Sequence, residues 1–192
     1  MGTLISSVPY KSQYDDDAVE FRNDCGPASV AMILHAFGIK VSTDNVYRKT
    51  GATANRYVSV GQLIRAGLSY KVPFDYFYGW SLEQLQDTLR KGHAIITLVH
   101  YGAWSQLNPG ISTQNKFKGP HFVVVIGFDE KHIFVNDPLW RGTRRSEGYR
   151  RAWTHEQFMA AWESNHLDGN RERSGILSRR TLPTDKYGKS DE

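Results

Sequence analysis

The sequence predicts an α+β domain, with helices from its first half packed on an antiparallel sheet formed mainly by its second. Three observations predict it. Residues 27–91 carry successive short helical patterns, each opened by a capping residue or proline and closed by glycine. Residues 94–99 and 122–135 carry β-branched runs, the second pair arranged as a hairpin. No repeat or Pro/Gly/Ser-rich linker divides these halves. The chain has 192 residues, 40% of them hydrophobic and 12% aromatic, enough to fold around a sizeable core. Residues 1–180 are therefore expected to form a single domain, and 181–192 a polar, flexible tail.

Residues 4–24 read as an extended arm and loop, since Val8, before Pro9, avoids the helical region. Asp15-Asp16-Asp17 read as a solvated loop, lacking the spaced ligands and final Glu of a calcium motif. Pro27 suits the first turn of a helix, where its missing N–H costs nothing, and Gly38 stops that helix after Phe37. Ser42 or Thr43 caps a short helix through Val46 that Gly51 ends; Ser59 caps another, Val60 to Ala66, ended by Gly67. Tyr70 to Phe77 is aromatic and partly extended. Ser81 and Gln84 form a capping box for the helix Leu82 to Lys91, whose Leu82, Leu85 and Leu89 share one face.

Ala94 to Val99 reads as a buried strand. Tyr101 to Pro120 is a long loop, of a length that is usually functional or disordered, with Trp104 available to pack it down. Phe122 to Phe128 and Ile133 to Val135 make the hairpin. Arg141 to Arg151 is a basic loop, Thr154 and Gln157 box the start of a helix bearing Phe158, Met159 and Trp162, and Ile176-Leu177 reads as a last edge strand.

A net charge of +4 permits contact with anionic surfaces but does not establish nucleic-acid binding, for which no recognisable fold surrounds the basic loop. One cysteine excludes an internal disulfide and a cysteine-based zinc cage. The 7 histidines show no metal-ligand spacing, so neither metal nor cofactor is expected. No apolar run approaches the ~18 residues of a membrane span. No basic-then-apolar leader is visible, which leaves the cytoplasm, or secretion after processing, both open.

The chemistry centres on Cys25. A thiol where a helix begins faces the positive end of the macrodipole and unpaired N–H groups, both of which favour the reactive thiolate. A buried structural cysteine is the competing reading. A base and its orienter come from the hairpin. His121 opens its first strand and Asp137 closes its second, and a three-residue turn at Phe128-Asp129-Glu130 sets the two directly opposite, on one face. The carboxylate then holds one imidazole nitrogen and leaves the other free as base. A slip by one residue turns one of them away. His93 and His100 bracket the buried strand, His132 sits in the turn, His35 lies on the back of the first helix, and His155 and His166 fall in the polar last third. Gln13, just ahead of the cysteine helix, is the candidate side-chain donor for an oxyanion.

Val8-Pro9-Tyr10-x-x-Gln13, Cys25-Gly26-Pro27-Ala28-Ser29-Val30-Ala31-Met32-Ile33-Leu34, Gly119-Pro120-His121-Phe122-Val123-Val124-Val125-Ile126-Gly127 and Asn136-Asp137-Pro138 together resemble the papain-like cysteine peptidases related to the bacteriocin leader (double-glycine) peptidases, cysteine peptidase family thirty-nine, in their stand-alone form. The order nucleophile, His, Asp is the papain-like order. The resemblance implies a papain-like α+β fold, with Cys25 as nucleophile, His121 as general base and acid, Asp137 as its orienter and Gln13 as oxyanion donor. Transporter-linked members place the glutamine close to the cysteine. Here residues 14–24 intervene, as in the looser stand-alone relatives, and no accompanying transporter domain is expected.

The sequence thus points to a bacterial or phage thiol hydrolase that cleaves peptide bonds. Two rivals stand beside it: an acyltransferase or amidase acting on a non-protein amide, and a catalytically idle binding or virion module. Arg141, Arg144, Arg145, Arg150 and Arg151 read either as a solvated loop or as a contact for an acidic substrate or anionic polymer. Specificity is expected from the two long loops and from Trp80 and Trp104.

Overall fold

The computed structural model describes residues 1–19, 25–53, 57–103, 118–164 and 171–188. Its helices are α1 (Cys25–Ala36), α2 (Thr43–Thr50), α3 (Val60–Ser69), α4 (Leu82–Arg90) and α5 (His155–Glu163). Its strands are β1 (Gly2–Leu4), β2 (Phe74–Phe77), β3 (His93–His100), β4 (Pro120–Phe128), β5 (His132–Asn136), β6 (Arg151–Thr154), β7 (Gly175–Thr181) and β8 (Asp185–Tyr187). One antiparallel sheet runs β2-β7-β3-β4-β1-β8, with β5 pairing with β4 and with β6.

The helix α1 is buried on every side from Gly26 to Leu34, because its sequence is apolar all round rather than striped. It packs on β4 and against α2 and α3. That burial fixes the position of Cys25 at its first turn. The expected caps form. Ser42 accepts from the Asn45 N–H, and Ser59/Gln62, Ser81/Gln84 and Thr154/Gln157 close reciprocal boxes. Leu85 and Leu89 of α4 are buried and Leu82 is partly so.

Several expectations are corrected. Gly67 does not end α3, which continues to Ser69; a Cβ at Gly67 would lie 2.4 Å from the Phe74 ring, so the missing side chain is what lets β2 pack there. Ile176-Leu177 is no edge strand: β7 lies between β2 and β3. The basic loop contains a 3-10 helix (Gly142–Gly148) and then β6, which pairs with β5. Asp185–Tyr187, in the stretch read as a loose tail, form β8 and pair with β1. Trp104 and His166 lie outside the described residues, as does most of the loop after β3.

The hairpin register also differs. Val124 pairs with Asn136, where the expected register had Phe134, and a bulge interrupts the ladder between Val125 and Gly127. The turn is longer than expected, because the Asp129 carboxylate accepts from the N–H groups of Lys131 and His132 and holds residues 129–132 as the connection. A displacement of two residues preserves which faces meet. His121 and Asp137 therefore still converge, but diagonally across the end of the ladder.

Candidate active site

Four chain segments meet at the start of α1. His121 is held in β4, where it pairs with Val99 of β3. Asp137 follows directly on β5. Its carboxylate accepts four hydrogen bonds: Oδ1 from His121 Nε2 (2.8 Å) and the Leu139 N–H (3.0 Å), Oδ2 from Tyr101 Oη (2.9 Å) and Trp140 Nε1 (3.1 Å). Both His121 and Asp137 are buried. With Nε2 engaged, Nδ1 is the imidazole nitrogen left for Cys25, to which His121 is joined by a side-chain hydrogen bond. Cys25 itself is half-buried. Tyr101 also meets the His121 ring edge-on, with centroids 5.3 Å apart.

The electrostatics follow from this packing. Burial alone pushes the His121 pKa down, but the Asp137 charge, the hydrogen bond to it and the contact with Cys25 outweigh burial and raise it to about 10. For Asp137, burial pushes upward and is overcome by His121, Arg151 and the Leu139 N–H, so its carboxyl is held below the ordinary range. The site is thus built to hold a charged imidazole against a carboxylate. Among the described residues no three His, Cys, Asp or Glu side chains gather as they would around a metal ion.

The upstream arm is stitched to the same place. The Gln13 N–H donates to the Pro138 carbonyl at 2.8 Å, and Ser12 Oγ donates to that same oxygen at 3.3 Å. Gln13 therefore lies beside Asp137-Pro138, although Tyr14 to Asp24 separate it from Cys25 in sequence. Its Oε1 is buried with no hydrogen-bond partner among the described residues. Tyr10 Oη donates to the Asp137 carbonyl (2.9 Å) and the Trp140 carbonyl (3.2 Å). Gly148 closes the other side, its carbonyl accepting from the Asp137 N–H at 2.8 Å.

The acidic and basic runs meet one another. Asp15 takes two bonds from Arg145, at 2.6 and 2.7 Å, and Asp17 pairs with Lys11, so only Asp16 of the triplet fits the solvated reading. Arg144 holds Glu147 through two bonds of 2.7 Å. Arg151 lies 4.0 Å over the Trp140 ring and donates to the Glu147 carbonyl, while Arg141 and Arg150 lie over Tyr14 and Tyr149. Each arginine of the basic loop is thus engaged within the chain. Three other described histidines serve local structure. His35 Nε2 meets the Val41 backbone, His93 Nδ1 contacts the Ser178 carbonyl, and His132 contacts Asp129.

Beside Cys25 opens a cleft of about 490 Å³, lined in part by Val58, Val60, Tyr76, Leu98, Phe122 and Arg171. Trp80 does not line it; it stacks on Phe77 at 3.9 Å. Sequence reasoning missed Tyr101 and Trp140 as partners of Asp137. Trp140 had a local signal, three residues after the aspartate. Tyr101 had none, because strand pairing alone brings it beside His121.

A cysteine at a buried helix start, joined to an imidazole that a carboxylate holds, on an α+β scaffold, is the arrangement of a papain-like thiol hydrolase. The model of the Peptidase_C39 like family matches residues 5–167, and the chain belongs to that family: it is a cysteine peptidase, a hydrolase. A crystal structure assigned as a C39-like peptidase from Bacillus anthracis shares the fold with TM-score 0.67 and 19% identity, covering 95% of this chain and 100% of that one. The peptidase domain of Streptococcus ComA, a bi-functional ABC transporter involved in a quorum-sensing pathway, aligns with TM-score 0.60 and 16% identity, over 90% and 99%. A double glycine motif protease from an AMS/PCAT transporter, in complex with the leader peptide, aligns with TM-score 0.52 and 19% identity, over 89% and 91%. No curated protein matches the chain.

Proposed function

We propose that this peptidase hydrolyses peptide bonds through Cys25, His121 and Asp137, with Gln13 as oxyanion donor. The observation that carries the reading is the bond from His121 Nε2 to Asp137 at 2.8 Å, which leaves the opposite nitrogen for Cys25. In the proposed cycle the proton of the Cys25 thiol already sits on His121 Nδ1, and the thiolate sulfur attacks the substrate carbonyl. The oxyanion accepts from the Gln13 side-chain N–H and the Cys25 backbone N–H. The imidazolium then protonates the departing amine, leaving a thioester. Water, deprotonated by His121, releases the acid and regenerates the thiol.

A peptide substrate is favoured by the neighbour solved with a leader peptide bound. The test is substitution with a folding control. Cys25→Ala and His121→Ala should each abolish cleavage of peptide substrates while leaving far-UV circular dichroism unchanged. Full activity in Cys25→Ala protein overturns the mechanism. Release of the thioester by an added amine faster than by water would favour acyl transfer instead.

A further inference from the structure

The cleft beside Cys25 has mostly apolar walls, with Ser59 and tyrosine hydroxyls among them, and one charged lining residue among those described, Arg171. Its guanidinium lies 4.2 Å over the Tyr78 ring. That ring in turn tilts against Tyr76, another wall of the cleft, with centroids 5.9 Å apart. The backbone beneath is stapled: the Glu172 carbonyl accepts from the Gly79 N–H, and the Arg173 N–H donates to the Trp162 carbonyl, both at 3.1 Å. Stacking occupies a face of the guanidinium and leaves its in-plane N–H fork available for a planar anion. Elsewhere in this chain arginines answer carboxylates: Arg90 with Asp87, Arg144 with Glu147, Arg145 with Asp15 and Arg179 with Asp75. Arg171 has no carboxylate partner among the described residues. The cleft therefore presents a pre-positioned positive charge on the wall of a mostly apolar groove that reaches the thiol.

We propose that Arg171 is a specificity-determining residue that binds a substrate carboxylate, so that the preferred peptide carries an acidic group within the few residues the cleft holds, beside apolar ones. The inference rests on the peptidase reading of the same site. Two sources share this chemistry, an Asp or Glu side chain and a free C-terminal carboxylate, and both can meet the fork in two parallel bonds.

The test reads binding on Cys25→Ala protein, so that it does not depend on turnover. The probes are fluorescent octapeptides of apolar residues in which Glu or Gln is placed at each position in turn, each made as C-terminal acid and as C-terminal amide. At one position, or in the acid form alone, the anionic peptide should bind roughly 10- to 100-fold tighter than its neutral isostere. That ratio should collapse to within about twofold when Arg171→Gln is added, and should shrink as salt rises. Which series shows the preference names the source. Glu and Gln, and acid and amide, agreeing within twofold throughout, including no binding by any, overturn the proposal. A preference that survives Arg171→Gln overturns it too. The peptidase reading fails separately, if the unsubstituted enzyme cleaves none of the peptides that its Cys25→Ala form binds with this preference.

Discussion

Replacing Asp137 with asparagine should destabilise the protein in a way that depends on pH. The carboxylate has two oxygens and four buried donors around it: the His121 ring, the Leu139 N–H, the Tyr101 hydroxyl and the Trp140 indole. An asparagine presents one oxygen and one NH2. If its oxygen faces His121 and Leu139, the NH2 meets the indole N–H. If the NH2 faces them, the Leu139 N–H is orphaned and the imidazole must turn over its tautomer, placing a hydrogen toward Cys25. Either way at least one buried donor is stranded, at about 1–3 kcal/mol.

The lost charge adds a second term. The His121 pKa, about 10 in the folded protein, lies above the ordinary 6.5, so protonation of this ring stabilises the fold fully below pH 6.5, and that contribution is lost as pH rises toward 10. The Asp137 carboxyl is depressed, so its contribution is present above the ordinary carboxylate range and lost only in acid. Between those limits, near pH 6, the variant should be destabilised by about 3–5 kcal/mol, as for a buried pair that has lost one partner. By pH 10 the gap should narrow to the stranded donor alone. Urea melts followed by tryptophan fluorescence from pH 5.5 to 10 measure the gap directly. A gap that is constant with pH, or that widens as pH rises, would refute the charged-imidazole reading.

Two further perturbations probe the supports around the site. A Cβ at Gly148 would lie 2.1 Å from Tyr10 Oη and 2.5 Å from the Asp137 carbonyl, so Gly148→Ala should displace Tyr10, cost about 1–3 kcal/mol by overpacking and lower kcat; an unchanged urea midpoint would show that the contact relaxes freely. Arg145→Gln removes the clamp on Asp15 that ties down the arm carrying Gln13. This half-exposed ion pair should contribute less than about 1 kcal/mol, yet misplacing the arm should lower kcat by roughly 10- to 100-fold. Equal kcat in both proteins would detach Gln13 from the reaction.

Local sequence pattern was enough for most of the helices, for the central strands and for naming the residues proposed for the site. Capping residues are local, and Ser42, Ser59, Ser81 and Thr154 act within four residues of themselves, so those helix starts were legible without any tertiary contact. Burial of Ala94 to Val99 was legible from their nearly unbroken apolar run. Cys25 at a helix start, His121 on a strand and Asp137 after the next could be named from spacing and resemblance. Tertiary structure decided everything that depends on register and on distant partners. The longer turn moved the pairing by three residues beside it and the bulge between Val125 and Gly127 took one back, and only because the remaining displacement of two is even does the imidazole still meet the carboxylate. The place of β7 inside the sheet, the pairing of the acidic arm with the basic loop and the four donors on Asp137 each join residues far apart in the chain, and no local pattern encodes such meetings. Arg171 in the cleft that opens beside Cys25 belongs with them. A single exposed arginine in a polar stretch carries no signal of its own, and its meaning comes from the cleft that the fold builds around it.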